Sequence, residues 1–245
     1  TSKQKNVAAI VLAIDPKING EEAYSLTVSN KGIKIAGKTA AGVFYGIQTL
    51  RKSLPVLDNA EAITLPATVI SDAPRFGYRG MMLDCGRHFW PVPFVKKFID
   101  ILALHNMNVF HWHLNEDQGW RIEIKKYPKL TEIGSKRSCT VLGHNSDIDD
   151  GTPYEGFYTQ DEAREIVRYA AERNITVIPE IDMPGHSRFF DDTFGFSMAS
   201  PEGMKVLRKC LEEFFSEISA ADCPYFHIGS DEVHVDNPKE FMAFC

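Results

Sequence analysis

The 245-residue sequence has no long apolar run. A helix that crosses a membrane needs about 20 consecutive apolar residues, so we expect no membrane span. The sequence also has no excess of basic residues, because 27 Lys and Arg stand against 33 Asp and Glu, for a formal net charge of -6. Without a basic field to neutralise phosphates, general binding of nucleic acid is not expected. The first residues, Thr1–Gln4, lack the apolar segment of a secretory leader, so we expect a cytoplasmic or already processed protein.

The sequence also has few cysteines, and its predicted helices begin without a nucleotide-binding motif. The five cysteines are scattered and none form a C-x-x-C pair, which argues against a disulfide scaffold, a zinc–cysteine site and a thiol redox motif. No G-x-G-x-x-G or G-x-x-x-x-G-K-S/T opens a predicted helix, which disfavours the nucleotide-binding forms of α/β folds. What is present is an ordinary globular composition, long enough for one large domain or two ordinary ones.

Residues 1–72 predict a small α+β domain. Apolar residues at helical spacing from Ala40 to Leu50 predict one helix, with Thr39 as its N-cap. Strands are predicted at residues 7–12, 25–28, 32–37 and 63–65. The region has no convergent set of acids, bases or metal ligands, so we expect it to give structural support. The segment 71–76, which contains Pro74, predicts the boundary to a second domain over residues 73–245.

The second region alternates strands with helices, which predicts a parallel sheet. The predicted strands cover 78–84, 108–114, 175–181 and 225–229, and the predicted helices cover 93–105, 159–172 and 201–218. Both a doubly wound sheet and a (β/α)8 barrel fit this order. Polar residues follow every strand at its carboxyl end, where barrel enzymes carry their active sites, so we favour the barrel. Because only four of eight strands are predicted, we expect a first half-barrel that a missing second half, or another chain, must close.

Two adjacent carboxylates, Asp231 and Glu232, follow the last predicted strand. Neighbouring acids push each other's pKa values apart, which can keep one protonated and the other ionised near neutral pH. Cleavage of a glycosidic bond needs an acid for the leaving oxygen and a second group for the developing positive charge. The alternative is a solvated strand end without a chemical role.

Three residues at other strand ends are further candidates. Arg87 carries a planar fork of donors that suits sugar hydroxyls or a carboxylate. His186 lies in a loop restrained by two prolines and a glycine, where an imidazole can tune a carboxylate. Glu116, which follows the second strand, is a candidate partner for His186.

The segment His111-Trp112-His113 places two histidines on one face of a strand. They could form a metal pair together with Asp231, as in barrel metallohydrolases. They could also be core-facing histidines bonded to their neighbours. We favour the second interpretation, because no further ligand pair stands at a metal-like spacing.

Taken together, these motifs resemble the family-20 glycoside hydrolases, the β-N-acetylhexosaminidases. The resemblance rests on four ordered motifs between residues 76 and 232, which are YRGMMLD with RHF, NVFHWHL with ED, PEIDMPGH, and HIGSDE. Residues 1–72 also resemble the small α+β domain that precedes the barrel in this family.

The resemblance implies a retaining, substrate-assisted hydrolysis of terminal β-linked N-acetylglucosamine or N-acetylgalactosamine, with the substrate's acetamido oxygen as nucleophile. It implies Glu232 as general acid/base and Asp231 as the residue that orients the acetamido group. Arg87 would hold sugar hydroxyls, and His186 would form a relay with Glu116 and Glu232. Glycans would be the partners, with no metal or organic cofactor. A secreted, periplasmic or lysosomal location would be favoured.

The sequence departs from the family pattern at two of these positions. Ser230 stands where the family commonly has Gly, and Glu116 stands where it commonly has Asp. The family's aromatic sugar pocket and its acetamido-binding Tyr belong to the second half of the barrel. Two other functions stay open, a metal-dependent barrel hydrolase that uses His111 and His113, and a non-catalytic sugar-binding relic.

Overall fold

A computed structural model describes residues 10–55, 63–143 and 146–245. Contacts within the chain define two compact units. The first comprises Thr1–Arg79 with Ile101–Asn108, and the second comprises Gly80–Asp100 with Val109–Cys245. None of the helices in the described ranges is both long and apolar enough to cross a bilayer.

The first unit contains a four-stranded sheet and one helix. Its elements are β1 (Ile10–Ile14), β2 (Tyr24–Ser29), β3 (Gly32–Gly37), α1 (Ala40–Ser53) and β4 (Thr68–Asp72). The strand order is β1-β3-β2-β4, with β1 parallel to β3 and β2 antiparallel to both of its neighbours. The predicted α+β arrangement is therefore present in the described residues.

Helix α1 covers one face of this sheet. Tyr24, Leu26 and Ile35 are buried there in one cluster with residues of the helix. Gly46 permits the close approach, because a Cβ at this position would lie 2.5 Å from Cγ2 of Ile35. The predicted cap is confirmed, since the Thr39 side chain accepts a hydrogen bond from the backbone nitrogen of Gly42 at 3.5 Å.

Two predicted strands of this unit, at 7–12 and 63–65, differ from the strands in the described residues. The strand predicted at 63–65 is wrong, because the last strand, β4, begins at Thr68. Proline cannot donate to a sheet ladder, and Pro66 separates the apolar residues from the strand that does form. Of the first predicted strand, residues 7–9 lie outside the described residues.

After β4 the parallel strands of the second unit are separated by helices, as predicted, but short strands and successive helices interrupt the strict alternation. In chain order its elements are β5 (Gly80–Asp84), α2 (Val92–Leu104), β6 (Val109–His113), β7 (Asn115–Glu116), β8 (Gly119–Trp120), α3 (Lys129–Glu132), β9 (Lys136–Arg137), β10 (Tyr154–Glu155), α4 (Gln160–Ala171), β11 (Thr176–Glu180), α5 (Arg188–Phe194), α6 (Pro201–Glu217) and α7 (Pro238–Phe244). The sequence did not predict α5 and α7.

The second unit is built on an open parallel sheet in the order β11-β6-β5, so the parallel pairing is confirmed. Alternation along β6 sends Phe110 and Trp112 to one face, where both are buried, and His111 and His113 to the other. The ring of Phe98 from α2 packs 5.7 Å from that of Phe110. The polar face of β6 therefore carries the histidines, away from the helix.

The fourth predicted strand, at 225–229, does not form as a regular strand. His227 makes a single parallel bridge to Glu180, and its backbone nitrogen donates to the carbonyl of Pro179 at 2.9 Å. Gly229 and Ser230 then take positive φ angles of 62° and 78°. These angles turn the chain out of the extended conformation, so the pairing ends where the sequence predicted a longer strand.

Candidate active site

The structure brings the five predicted site residues into one chain of contacts at the carboxyl ends of the parallel strands. They are Arg87, Glu116, His186, Asp231 and Glu232. Parallel strands end at the same edge of their sheet, so residues distant in sequence converge there. The convergence that the strand-end pattern predicted is therefore present.

Glu116 stands at the centre of these contacts and is only 3% exposed. Its Oε2 lies 3.2 Å from Nη2 of Arg87 and accepts a hydrogen bond at 3.3 Å from Nε2 of His113. Its Oε1 lies 2.8 Å from Nδ1 of His186. The buried carboxyl group is therefore held in place by three side chains, those of Arg87, His113 and His186.

Arg87 is held from both its side chain and its backbone. Asp84 accepts from the Arg87 backbone nitrogen at 2.9 Å and from Nη1 at 2.6 Å. Burial opposes the charge, but the hydrogen bond to Asp84 and the charge of Glu116 raise the pKa of Arg87. The hydroxyl of Tyr154 donates to the Arg87 carbonyl at 2.6 Å. The guanidinium is therefore oriented before any ligand arrives.

Arg121 supports the segment on which Arg87 stands, and the sequence did not single it out. Its side chain is fully buried, and the acceptors that it contacts among the described residues are all neutral. Nη2 reaches the carbonyl of Gly86 at 2.9 Å, and Nη1 reaches the carbonyls of Ser135 at 2.7 Å and Gly156 at 3.1 Å. No sequence signal could have revealed this role, because carbonyl groups occur at every residue.

His186 connects Glu116 to the adjacent carboxylates. Its Nε2 lies 3.5 Å from Oε2 of Glu232 and 3.8 Å from Oδ2 of Asp231. Burial disfavours the charged ring, but Glu116, Asp182 and Asp231 outweigh it and raise the pKa of His186. The ring is therefore more basic than a free imidazole and faces a carboxylate with each of its nitrogens.

The turn at 229–232 aims Asp231 and Glu232 at the same imidazole. Glu232 has a positive φ of 50°, which is uncommon for a residue with a side chain. Adjacent residues of a flat strand would point to opposite faces, whereas this turn brings both carboxylates within 3.8 Å of Nε2 of His186. Their side chains are 70% and 79% exposed, so both are accessible from solvent.

Asp182 tethers this turn, a role that the sequence did not assign. Its Oδ1 accepts from the Ser230 backbone nitrogen at 2.9 Å. Its own backbone is held by Asn115, which accepts from the Asp182 nitrogen at 2.7 Å and donates to its carbonyl at 2.9 Å. Burial, together with the charge of Asp231, raises the pKa of Asp182 despite the Ser230 hydrogen bond.

His111 and His113 lie on the polar face of β6, and each bonds to a neighbouring carboxylate, as the favoured interpretation expects. Nε2 of His111 hydrogen-bonds Glu180, and Nε2 of His113 hydrogen-bonds Glu116. Asp231 groups instead with His186 and Glu232. The three residues considered as metal ligands are therefore not brought together.

Groups of nitrogen and oxygen atoms close enough to hold a cation do occur. They are His111 with Glu180 and His227, Glu116 with Asp182 and His186, and His186 with Asp231 and Glu232. In the first two groups an imidazole nitrogen contacts a carboxylate oxygen directly. These contacts are those of imidazole–carboxylate pairs.

Comparison with known proteins gives consistent matches over both units. The catalytic domain of glycosyl hydrolase family 20 matches residues 76–195, and domain 2 of that family matches residues 1–73. The chain is 43% identical to a beta-hexosaminidase of Porphyromonas gingivalis, over 97% of this chain and 32% of the relative.

Solved structures give the same result. A family-20 exo-beta-N-acetylglucosaminidase of Vibrio harveyi, in complex with N-acetylglucosamine, superposes with a TM-score of 0.76 at 36% identity, over 94% of this chain and 39% of that one. An N-acetyl-beta-hexosaminidase of Streptomyces plicatus superposes with a TM-score of 0.80 at 35% identity, over 98% of this chain and 50% of that one. The chain thus spans half or less of these three relatives.

Proposed function

Since this chain belongs to glycosyl hydrolase family 20, we propose that the protein containing it removes terminal β-linked N-acetylhexosamine from glycans. The observation that carries the proposal is the contact chain from buried Glu116 through His186 to exposed Glu232. A carboxylic acid that faces solvent and is backed by an imidazole–carboxylate pair is suited to donate a proton to a leaving oxygen and to recover it.

In this proposal Glu232 is the general acid/base, and His186 stabilises its charged form. Nε2 of His186, at 3.5 Å from Glu232, stabilises the carboxylate that remains after the proton has passed to the glycosidic oxygen. Oε1 of Glu116 lies on the other side of the ring, 2.8 Å from Nδ1 of His186. Arg87, oriented by Asp84, binds sugar hydroxyls.

The position of Asp231 supports a nucleophile supplied by the substrate. In the scheme with two enzyme carboxylates, the carboxyl groups flank the sugar, about 5–5.5 Å apart when configuration is retained. Asp231 and Glu232 instead converge on the same nitrogen of His186. We therefore assign Asp231 to orienting the substrate's 2-acetamido group and stabilising the positive charge of an oxazolinium intermediate.

We further propose that the open parallel sheet is part of a (β/α)8 barrel and that 1–72 is a separate supporting domain. Two observations support the barrel. The strands β5, β6 and β11 are parallel, and their polar residues gather at the carboxyl ends. The superposed family-20 structures are also about two to two and a half times the chain's length, since it covers 39% and 50% of them. The remaining strands would close the sheet and complete the sugar pocket.

The test is hydrolysis of an aryl β-N-acetylglucosaminide and of an unactivated N-acetylglucosamine disaccharide by the complete protein. Loss of a general acid/base costs about 10²–10⁴-fold in rate, so Glu232→Gln should lose that much on the disaccharide. An aryl leaving group needs less protonation, so the loss there should be smaller. Asp231→Asn should be slow on both substrates, and Glu202→Gln, on the exposed side of α6, should match the wild type.

Other outcomes separate the alternatives. Near-normal disaccharide hydrolysis by Glu232→Gln would contradict the assignment. Tight binding of an N-acetylglucosamine thiazoline without any turnover would indicate a sugar-binding relic. Activity abolished by a chelator and restored by a divalent metal would indicate a metal-dependent hydrolase.

A further inference from the structure

The register of the parallel sheet places a row of ionisable residues beneath the candidate site. Asp84 of β5 pairs with His113 of β6, and His113 pairs with Glu180 of β11. Glu180 is bridged in turn to His227. Paired positions in a parallel sheet send their side chains to the same face, so these groups stand side by side.

His113 lies between two carboxylates and is 5% exposed. Its Nε2 hydrogen-bonds Oε2 of Glu116 at 3.3 Å. Its Nδ1 lies 3.0 Å from Oε2 of Glu180, off the line of an ideal hydrogen bond but within ion-pair distance. A neutral imidazole has one donor and one acceptor nitrogen, so one of these carboxylates would meet a lone pair. Only the imidazolium, with a hydrogen on each nitrogen, suits both.

The charges around the ring lead to the same conclusion. Asp84, Glu116 and Glu180 approach it from three elements, and His111 and His227 also contact Glu180. Arg87 is the cation that contacts Asp84 and Glu116. Burial opposes a charge on His113, but Glu116, Glu180 and Asp84 outweigh it and raise the pKa of His113 to about 10. Burial likewise opposes the charge of Glu180, but His111 and His113 hold the pKa of Glu180 far below its usual value.

We propose that His113 is a positioning residue that stays protonated throughout the working pH range of the site and, with Glu180 as its counter-ion, keeps the carboxyl group of Glu116 turned toward His186. The inference rests on the proposed function, because Glu116 and His186 belong to the proposed relay. It assigns roles to two residues that do not contact Asp231 or Glu232 in the described contacts.

The consequence for the relay is a defined position for each proton. Nδ1 of His186 lies 2.8 Å from Oε1 of Glu116, so we place a hydrogen on this nitrogen, facing the acceptor oxygen. Nε2 is then the nitrogen that gains or loses a proton, and it faces Glu232 at 3.5 Å. The charge of His113 also partly cancels that of Glu116, which prevents the carboxylate from making His186 still more basic.

The first test reads the protonation states directly, without turnover. The protein is prepared with ¹⁵N-labelled histidine, and the ring signals are assigned with single His→Gln variants and followed from pH 5 to 9. His113 should show two protonated ring nitrogens throughout. Glu180→Gln, which removes the counter-ion, should bring the titration of His113 into this range. A single neutral tautomer of His113 at pH 7 in the wild type would overturn the proposal.

The second test measures the coupling to His186. His113→Gln removes a fixed cation, so the titration of His186 should move upward by about half a pH unit or more. The limbs of the pH–rate profile should move in the same direction. His111→Gln is the matched control, because it also loses a hydrogen bond to Glu180 but has no contact with Glu116 among the described ion pairs. An unchanged His186 titration in a folded His113→Gln protein would contradict the proposal.

The proposed function and the charge of His113 are tested by different measurements. A wild-type protein without hydrolytic activity would refute the proposed function, while the ring spectra would still report the charge of His113. If His113→Gln does not fold, the wild-type spectrum and Glu180→Gln decide the question.

Discussion

Oδ1 of Asp182 accepts a hydrogen bond from the backbone nitrogen of Ser230 at 2.9 Å. This contact ties the turn that carries the two adjacent carboxylates to the end of β11. The segment before the turn has no regular strand of its own, and its backbone continues from a single bridge at His227. The geometry of Asp231 and Glu232 therefore depends on a side chain 48 residues away from Ser230.

The first prediction concerns the space beneath this turn. In Gly229→Ala, the new Cβ would lie 2.0 Å from Oδ1 and 2.9 Å from Cα of Asp182, at a φ of +62°. The variant should lose about 1–3 kcal/mol of unfolding free energy, with a fall in hydrolysis because the turn must shift. Urea unfolding and the disaccharide assay measure the two effects.

Gly195→Ala is the matched control for Gly229→Ala. Gly195 has a similar φ of +78°, but a Cβ there would meet nothing within 4 Å. It should carry only the backbone strain, about 1 kcal/mol, with activity unchanged. Equal stability and equal activity of the two variants would show that Asp182 does not constrain the turn.

The second prediction concerns the support of Arg87. Tyr154→Phe removes the hydroxyl that donates to the Arg87 carbonyl at 2.6 Å and accepts from Arg121 at 3.3 Å. Each of these two hydrogen bonds is worth about 0.5–1.5 kcal/mol. Because Arg87 is assigned to sugar binding, we expect KM to rise about three- to tenfold while kcat changes little.

Steady-state kinetics on the aryl glycoside measures this separation. Tyr225→Phe is the control, since Tyr225 is 65% exposed and the same chemical change there should alter neither constant. A fall in kcat with unchanged KM in Tyr154→Phe would place the effect on the chemical step and contradict the assignment.

The third prediction is a pH dependence of stability. The pKa of His113 is raised in the folded protein to about 10 from an ordinary value of 6.5. Its stabilisation is therefore fully present below about pH 6.5 and is lost as the pH rises toward 10, because the folded state then binds the proton that the unfolded state has released. The unfolding free energy of the wild type should approach that of His113→Gln by up to about 1.4 kcal/mol per pH unit.

Urea unfolding of both proteins between pH 7 and pH 9.5 measures how the difference in their unfolding free energies changes with pH. Lysines and tyrosines also titrate toward high pH, but both proteins contain them, so their contributions cancel in this difference. His105→Gln, a substitution at an exposed position, is the control for the loss of a histidine. A pH-independent difference for His113→Gln would mean that the ring is neutral in the folded protein.

Periodicity and strand-end polarity in the sequence were sufficient to predict three features of the structure. These are the longer helices α1, α2, α4 and α6, the parallel pairing of the strands, and the convergence of the five site residues. Apolar spacing fixes which face of a helix or strand is buried, and parallel strands must end at one edge. The same local signals did not predict contacts between residues that are distant in sequence. Arg121 is held by carbonyls up to 36 residues away, and short segments such as α5 and α7 have weak periodicity.

The identity of the candidate site was therefore determined by the sequence alone, in the order and chemistry of Arg87, Glu116, His186, Asp231 and Glu232. How these groups are aimed at one another depends on the tertiary structure. The register that sets His113 between Glu116 and Glu180, and the tether from Asp182 to Ser230, are contacts between separate strands. Proton positions follow from such contacts, because pKa values depend on distance and burial, which a linear sequence does not contain.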